Sequence, residues 1–171
     1  MKQSSVRLRA LEPEDVEMLY ELENDPDLWA VGDCTAPYSR HTLQRYIDSN
    51  ANDIYADRQL RLVIEVEGQP AGCADLFLFN PQNHRAEVGI ALLPQWRGKG
   101  YGREALTQLT AFSRQHLDIA HLYAIVSVEN LSAQALFASC GYENTARLKS
   151  WVTCTPTPQD ALVFQNLIPR N

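Results

Sequence analysis

The stretch from residue 84 to residue 128 constrains the fold more than any other part of the sequence. It begins with a strand-like segment, residues 84–93, that stops at Pro94. A glycine-rich segment follows, and after it apolar residues recur at the spacing of an amphipathic helix, at Ala105, Leu106, Leu109 and Phe112. Residues 122–128 are nearly all apolar, as expected for a strand that is covered on both faces. A strand, a helix and a second strand in this order predict a parallel crossover.

The segments on either side of this unit predict further strands and helices. Strand patterns occur at residues 6–10, 60–66, 71–79, 151–153 and 161–167. Glu67-Gly68 predicts a hairpin turn between the second and third strands. Two helices are predicted between the first two strands, the second of them capped by Ser39, and Asn130 is placed to cap a short helix that stops at Gly141. The predicted order, β-α-α-β-β-β-α-β-α-β-β, describes a mixed α/β (α+β) domain.

Composition excludes several classes of protein. The chain has 171 residues, of which 45% are hydrophobic and 21% are charged, so we expect a single globular domain over residues 1–171. No apolar run approaches the ~18 residues that a membrane span needs, and residues 1–7 contain no apolar signal core. A net charge of −6 contrasts with the basic surface of nucleic-acid binders and favours cationic ligands, including protonated amines. We therefore expect a cytosolic protein without membrane or nucleic-acid partners.

The cysteines and histidines do not form a metal-binding pattern. None of the four cysteines is part of a C-x-x-C pair, and none of the four histidines is part of an H-x-x-x-H pair. Reduced thiols are typical of a cytosolic protein. No metal site is predicted.

Residues 95–103, Gln-Trp-Arg-Gly-Lys-Gly-Tyr-Gly-Arg, predict a phosphate-binding loop. Glycines at alternate positions allow the backbone to approach a ligand closely; they are Gly98, Gly100 and Gly102. Successive N–H groups at the start of a helix bind anions. Positive side chains strengthen such a site, and those of this segment are Arg97, Lys99 and Arg103. A phosphate or pyrophosphate is the expected ligand.

Two familiar phosphate loops do not fit this segment. A P-loop requires a lysine followed by serine or threonine, whereas Lys99 is followed by Gly100. The dinucleotide-binding fingerprint requires a third small residue, and Arg103 stands at that position.

A third signature does fit. Gln95-x-x-Gly98-x-Gly100 after a strand resembles the acyl-CoA motif Q/R-x-x-G-x-G/A of the GNAT superfamily of N-acetyltransferases. The order of elements resembles that fold across nearly the whole chain, and so do Glu129-Asn130 and residues 138–142, Ala-Ser-Cys-Gly-Tyr. The resemblance implies a mixed, mostly antiparallel central sheet, a splayed parallel pair formed by strands 4 and 5, and flanking helices.

The resemblance also implies acetyl-CoA as the co-substrate and assigns residues to it. Strand 4 would pair through its backbone with the pantetheine arm, at Ile90, Ala91 and Leu92, and one of its N–H groups would stabilise the oxyanion. The loop would cradle the pyrophosphate; its residues are Arg97, Gly98, Lys99, Gly100, Tyr101, Gly102 and Arg103. Asn130 would hydrogen-bond the CoA arm where the strands splay.

Two further positions bear on catalysis. Glu87 matches the general base that removes a proton from the amine, with a surface glutamate as the alternative interpretation. Strand alternation places it on the same face as Gly89 and Ala91. Phe137 stands where many family members carry a tyrosine that protonates the leaving thiolate, and its helix position also suits the core. No general acid is assigned. Direct transfer in a ternary complex is predicted, because no activated nucleophile is evident.

The acceptor is less well defined. Pro37-Tyr38 and the segment ending at Glu87 resemble the spermidine acetyltransferases and the acetyltransferases of ribosomal-protein N-termini. The acidic residues of the spermidine branch are replaced, one of them by Leu78, while Asp33 and Asp75 either compensate or are solvated. A polyamine or another small cationic amine is the expected acceptor. The alternatives are a protein N-terminus and a non-catalytic CoA-binding module, and a homo-oligomer is compatible with the sequence.

Overall fold

The structure is a computed structural model that describes residues 5–29, 36–153 and 156–167. Its strands are β1 (Val6–Arg9), β2 (Leu60–Val66), β3 (Gln69–Asn80), β4 (Arg85–Leu92), β5 (His121–Ser127), β6 (Glu143–Val152) and β7 (Gln159–Leu167). Its helices are α1 (Val16–Glu23), α2 (Pro26–Trp29), α3 (Arg40–Ser49), α4 (Ile54–Asp57), α5 (Tyr101–Leu117) and α6 (Leu131–Ser139). Short 3-10 turns lie at Pro13–Asp15 and Pro94–Trp96.

The strands form a seven-stranded sheet in the order β1-β2-β3-β4-β5-β7-β6. The pairing of β4 with β5 is parallel, and the other neighbouring strands pair antiparallel. Helix α5 makes the crossover between β4 and β5, and Glu67-Gly68 joins β2 to β3. The structure therefore confirms the predicted mixed sheet, the parallel crossover and the hairpin.

The two faces of the sheet carry separate apolar clusters. Helices α5 and α6 cover one face, with Leu106 and Leu109 fully buried against the strands. Helices α1 and α3 cover part of the other face, where Leu19 packs with Val63 and Cys73. Because side chains alternate along a strand, Val63 and Cys73 face the second cluster, whereas their neighbours Ile64 and Ala74 face the first. The second cluster contains no residue of β5, so α1 and α3 leave the β5 end of their face of the sheet uncovered.

Three sequence predictions differ from the structure. Strand β6 is longer than the predicted residues 151–153, because it is an edge strand whose side chains, except for Leu148 and Val152, are exposed and show no apolar alternation. Helices α2 and α4 were not predicted, since a single turn gives no periodic signal. Strand β5 is fully buried on the α5 side but only half-buried at Tyr123 and Ile125 on the other.

Gly72 fixes the distance between β3 and β4. A Cβ atom at this position would lie 2.0 Å from the backbone oxygen of Ala91, so the neighbouring strand would have to move. We expect Gly72→Ala to lower the free energy of unfolding by about 1–3 kcal/mol or more, measured by urea denaturation. Gly102→Ala is the control, because its Cβ would make only ordinary contacts at 3.7–3.8 Å. Equal urea midpoints for Gly72→Ala and wild type would contradict the prediction.

Candidate active site

The sheet opens between β4 and β5. These strands pair at three positions, Arg85 with His121, Ala86 with Leu122 and Glu87 with Tyr123. Beyond them β4 continues along β3 and β5 continues along β7, without further pairing between the two strands. Residues 88–92 and 124–127 therefore face each other across a gap that is closed at one end. An extended chain or arm can pair with backbone groups along such a gap.

The glycine-rich loop connects the open end of β4 to the start of α5. Gly98 has φ +74° and Gly100 has φ +89°, a conformation that side-chain-bearing residues rarely adopt. A Cβ atom at either position would meet nothing within 4 Å, so the loop backbone faces open space. Gly100 is the N-cap of α5, and no side chain caps this helix. Its first N–H groups are thus available to an anionic ligand, which fits the predicted phosphate site.

The three positive side chains of the loop have different surroundings. Lys99 and Arg103 are exposed and have no acidic partner in the described part of the chain, although the Lys99 ammonium lies 5.5 Å from the centre of the Trp96 ring. Arg97 turns away from the loop. Its Nε donates to the backbone oxygen of Leu92 at 2.8 Å, and its Nη2 donates to Asp25 Oδ2 at 2.6 Å. Through these two hydrogen bonds Arg97 connects the end of β4 to Asp25, which lies between α1 and α2.

The gap and the loop form one continuous surface. The first turn of α5 packs beside β4, so that a Cβ atom at Gly102 would lie 3.8 Å from Ile90 and 3.7 Å from Leu92. Ala91 lies opposite Cys73, on the other face of β4. A single long ligand can therefore extend along residues 90–92 and reach the helix N-terminus with its phosphates.

Glu87 lies at the closed end of the gap. It is half-buried, and it occupies the last position at which β4 still pairs with β5. Gly89 follows on the same face, covered by the ring of Phe77 from β3, with the Cε2 atom 2.8 Å from where a Cβ would stand. The glycine therefore lets the Phe77 ring pack against β4 beside the carboxylate. This position suits a base that serves a reaction inside the gap.

Tyr123 was not identified from the sequence. It lies opposite Glu87 on β5, and its hydroxyl is within reach of a hydrogen bond to the Glu87 carboxylate. The only sequence signal is a tyrosine in an otherwise apolar strand. That signal becomes informative only when the register between β4 and β5 is known.

Asn130 is the N-cap of α6, the helix that follows β5, and Phe137 lies within this helix. Asn130 caps the helix, with its Oδ1 accepting from the N–H of Ala133 at 3.1 Å. Its Nδ2 has no partner among the described residues, so it can donate to a ligand. Phe137 is only 5% exposed and packs against Tyr142 and Phe164, with ring centres 5.1 Å and 6.1 Å away. The structure thus gives Phe137 the core position that its helical stripe also suggested.

A buried ion cluster lies beside this site and corrects one interpretation. Asp75 is a buried residue of β3, whereas the sequence left a solvated or turn position open for it. Arg61 binds it through two hydrogen bonds of 2.8 and 3.0 Å and also contacts Glu23. Burial raises the pKa of Asp75, and Arg61 opposes this effect. Asp33 lies outside the described residues.

Over the described ranges, no three histidine, cysteine or acidic side chains converge as metal ligands would. Cys73 and Cys140 are free thiols, while Cys34 and Cys154 lie outside the described ranges. No helix in the described part of the chain is long and apolar enough to span a membrane.

Comparison with known proteins agrees with this geometry. Residues 5–143 match the family described as Acetyltransferase (GNAT) domain. Spermidine N(1)-acetyltransferase of Escherichia coli (strain K12) is 30% identical over 139 residues, which are 81% of this chain and 73% of that protein. The family match over residues 5–143 includes β4, β5 and the glycine-rich loop.

Two solved structures share the whole architecture. The spermidine N-acetyltransferase from Vibrio cholerae, in complex with CoA and spermine, has a TM-score of 0.86 at 25% identity and covers 96% of both chains. RimL, a ribosomal L7/L12 alpha-N-protein acetyltransferase in complex with coenzyme A, has a TM-score of 0.86 at 18% identity, over 97% of this chain and 96% of its own. The second likeness shows the fold alone. The resemblance predicted from the sequence is confirmed, and the chain belongs to the GNAT family of acetyltransferases.

Proposed function

We propose that this acetyltransferase moves the acetyl group of acetyl-CoA onto a primary amine, by direct attack within a ternary complex. The observation that carries the proposal is the gap between β4 and β5. It runs from Glu87 at its closed end to the uncapped start of α5 at its open end. A carboxylate and an anion-binding loop at opposite ends of one gap suit a long phosphorylated donor and a basic acceptor.

The donor is proposed to bind along the gap and over the loop. The backbone at Ile90, Ala91 and Leu92 would pair with the pantetheine arm, and Asn130 would donate its free Nδ2 hydrogens to that arm. The pyrophosphate would lie against the backbone N–H groups of residues 97–103, with the charges of Lys99 and Arg103 beside it. Arg97 is proposed to act mainly by holding the loop in place, since two of its nitrogen atoms already have partners.

The chemistry is proposed to follow from these positions. Acetyl-CoA, when bound, supplies the thioester carbonyl that the amine nitrogen attacks and the thiolate that leaves. Glu87 accepts a proton from the ammonium form of the acceptor, because only the neutral amine has a free electron pair. A backbone N–H of β4 donates to the carbonyl oxygen as negative charge develops there. Phe137 has no proton to give, so no side chain is assigned to protonate the thiolate, and water suffices because thiols are fairly acidic.

The acceptor is proposed to be a polyamine or another small cationic amine. The net charge of −6 favours a cation, and the curated relatives that share 30% identity are spermidine acetyltransferases. We also propose that the single domain acts as a homo-oligomer, supported by the dodecameric structure of the Vibrio cholerae relative. The cytosolic location predicted from the sequence stays a prediction.

The test is steady-state CoA release with spermidine, small diamines and basic peptides as acceptors. Turnover with the polyamines is the expected result. Turnover with peptides alone would identify a protein N-terminal acetyltransferase. Binding of CoA without turnover across the panel would identify a non-catalytic module and overturn the proposal.

Phe137→Tyr tests whether a general acid is missing. We expect kcat to change far less than the ~10²–10⁴-fold that general acid–base catalysis supplies, because this side chain lies in the core. The measurement is kcat for both proteins with the best amine of the panel. A rise of about 10²-fold in the variant would instead show that a tyrosine hydroxyl at this position reaches the sulfur.

A further inference from the structure

Glu87 and Tyr123 form a pair at the point where the sheet begins to open. They are register partners across the parallel strands β4 and β5, so their side chains leave the sheet on the same face. The tyrosine hydroxyl lies beside the carboxylate, within reach of a hydrogen bond. Both residues are half-buried, which limits competition from water.

The direction of this hydrogen bond follows from the charges around it. Burial raises the pKa of the Tyr123 phenol, and the negative charge of Glu87 raises it further, while Arg85 lowers it in part. The phenol is therefore protonated at neutral pH, and it donates to the carboxylate. A donated hydrogen bond stabilises the charged form of a carboxylate and fixes the orientation of its oxygen atoms.

Five other residues surround Glu87 and Tyr123 on this face of the sheet. Arg85 lies two residues before Glu87 on β4, and His121 is opposite Arg85 on β5. Asp75, opposite Gly89 on β3, is already bound by Arg61. Phe77 and Gln165, which lie opposite Glu87 and Tyr123, carry no charge. Among these described neighbours, Tyr123 is the neutral donor that bonds the carboxylate.

We propose that Tyr123 is a positioning residue that holds the Glu87 carboxylate at the closed end of the gap, in the orientation that accepts the proton of the amine. The phenol fixes the orientation of the carboxylate toward the gap in which the acceptor binds. This inference rests on the proposed role of Glu87 as the base. Tyr123 itself transfers no proton.

The first test is Tyr123→Phe, which removes only the hydroxyl. We expect kcat to fall by about fivefold, the usual effect of losing one hydrogen bond. The acid side of the pH profile of kcat/KM should move to higher pH by about half a unit, because the carboxylate loses a donor that stabilises its charge. KM for acetyl-CoA should stay unchanged, since the phenol lies at the far end of the gap from the loop.

Tyr142→Phe is the matched control. Its side chain is buried, and its hydroxyl lies 3.4 Å from Thr110 Oγ1 on the α5 side of the sheet. Burial raises its pKa as well, to about 12. This variant should leave the pH profile unchanged. An unchanged kcat and pH profile in Tyr123→Phe, alongside a strongly impaired Glu87→Gln, would overturn the positioning role and leave the proposed function standing.

A second measurement does not depend on turnover or on the folding of Tyr123→Phe. The phenol of Tyr123 can be titrated by NMR with labelled tyrosine, in wild type and in Glu87→Gln. Removing the carboxylate charge should let the phenol ionise at lower pH, because that charge opposes ionisation. An identical titration in both proteins would show that the two groups do not interact, and would overturn the inference. Full activity of Glu87→Gln would overturn both the inference and the proposed base.

Discussion

Glu87→Gln is expected to lower kcat/KM by about 10²–10⁴-fold, which is the usual contribution of a general base. Glutamine keeps the shape of the side chain, and its amide oxygen can still accept the Tyr123 hydroxyl, so the local packing is retained. The defect should be largest near pH 6 and smaller near pH 9, because more of the acceptor amine is already neutral at high pH. The measurement is the rate of CoA release as a function of pH.

Glu21→Gln supplies the control for this experiment. Glu21 is an exposed residue of α1, and its substitution changes the net charge equally. It should leave kcat/KM unchanged across the pH range. A Glu87→Gln enzyme as fast as wild type between pH 6 and pH 9 would remove Glu87 from the mechanism.

Gly100→Val is expected to weaken CoA binding by at least tenfold, or about 1.4 kcal/mol. A branched side chain is strained at φ +89°, and it would fill the open space in front of the loop backbone. Both effects keep a pyrophosphate away from the first N–H groups of α5. Calorimetric titration with CoA measures the change directly.

Gly68→Val separates lost binding from lost stability. Gly68 has φ +77° and, like Gly100, open space around its missing Cβ, but it lies in the turn between β2 and β3. The two variants should lose similar thermal stability, and only Gly100→Val should lose affinity for CoA. Equal affinities in a folded Gly100→Val protein and wild type would show that the loop does not bind the pyrophosphate.

The sequence predicts best the features that depend on neighbouring residues. The β4–loop–α5–β5 unit is local: its glycines, its apolar stripe and Pro94 lie within one continuous stretch. The family motif belongs to the same stretch. For that reason the crossover and the loop were predictable from the residues, while the mixed sheet followed from the family resemblance.

Features that depend on pairing between distant strands were not predictable. The contact of Tyr123 with Glu87 requires the β4–β5 register, and the burial of Asp75 requires Arg61 to stand opposite it on β2. Periodicity gives the face of a strand but not its partner. Strand β6 was underestimated for a related reason, because an exposed edge strand lacks the apolar alternation that marks buried strands.

The gap between β4 and β5 also has a thermodynamic consequence. Within the described residues, three residue pairs join the half-sheet β1–β4 to the half-sheet formed by β5, β7 and β6, and the edges of β4 and β5 beyond these pairs are not paired with each other. A ligand arm that pairs with those edges acts as a missing strand and stabilises the folded chain over the unfolded one. At a ligand concentration of 100 times Kd this linkage amounts to about 2.7 kcal/mol. The proposed binding of acetyl-CoA in this gap would thus couple the stability of the folded protein to the supply of its co-substrate.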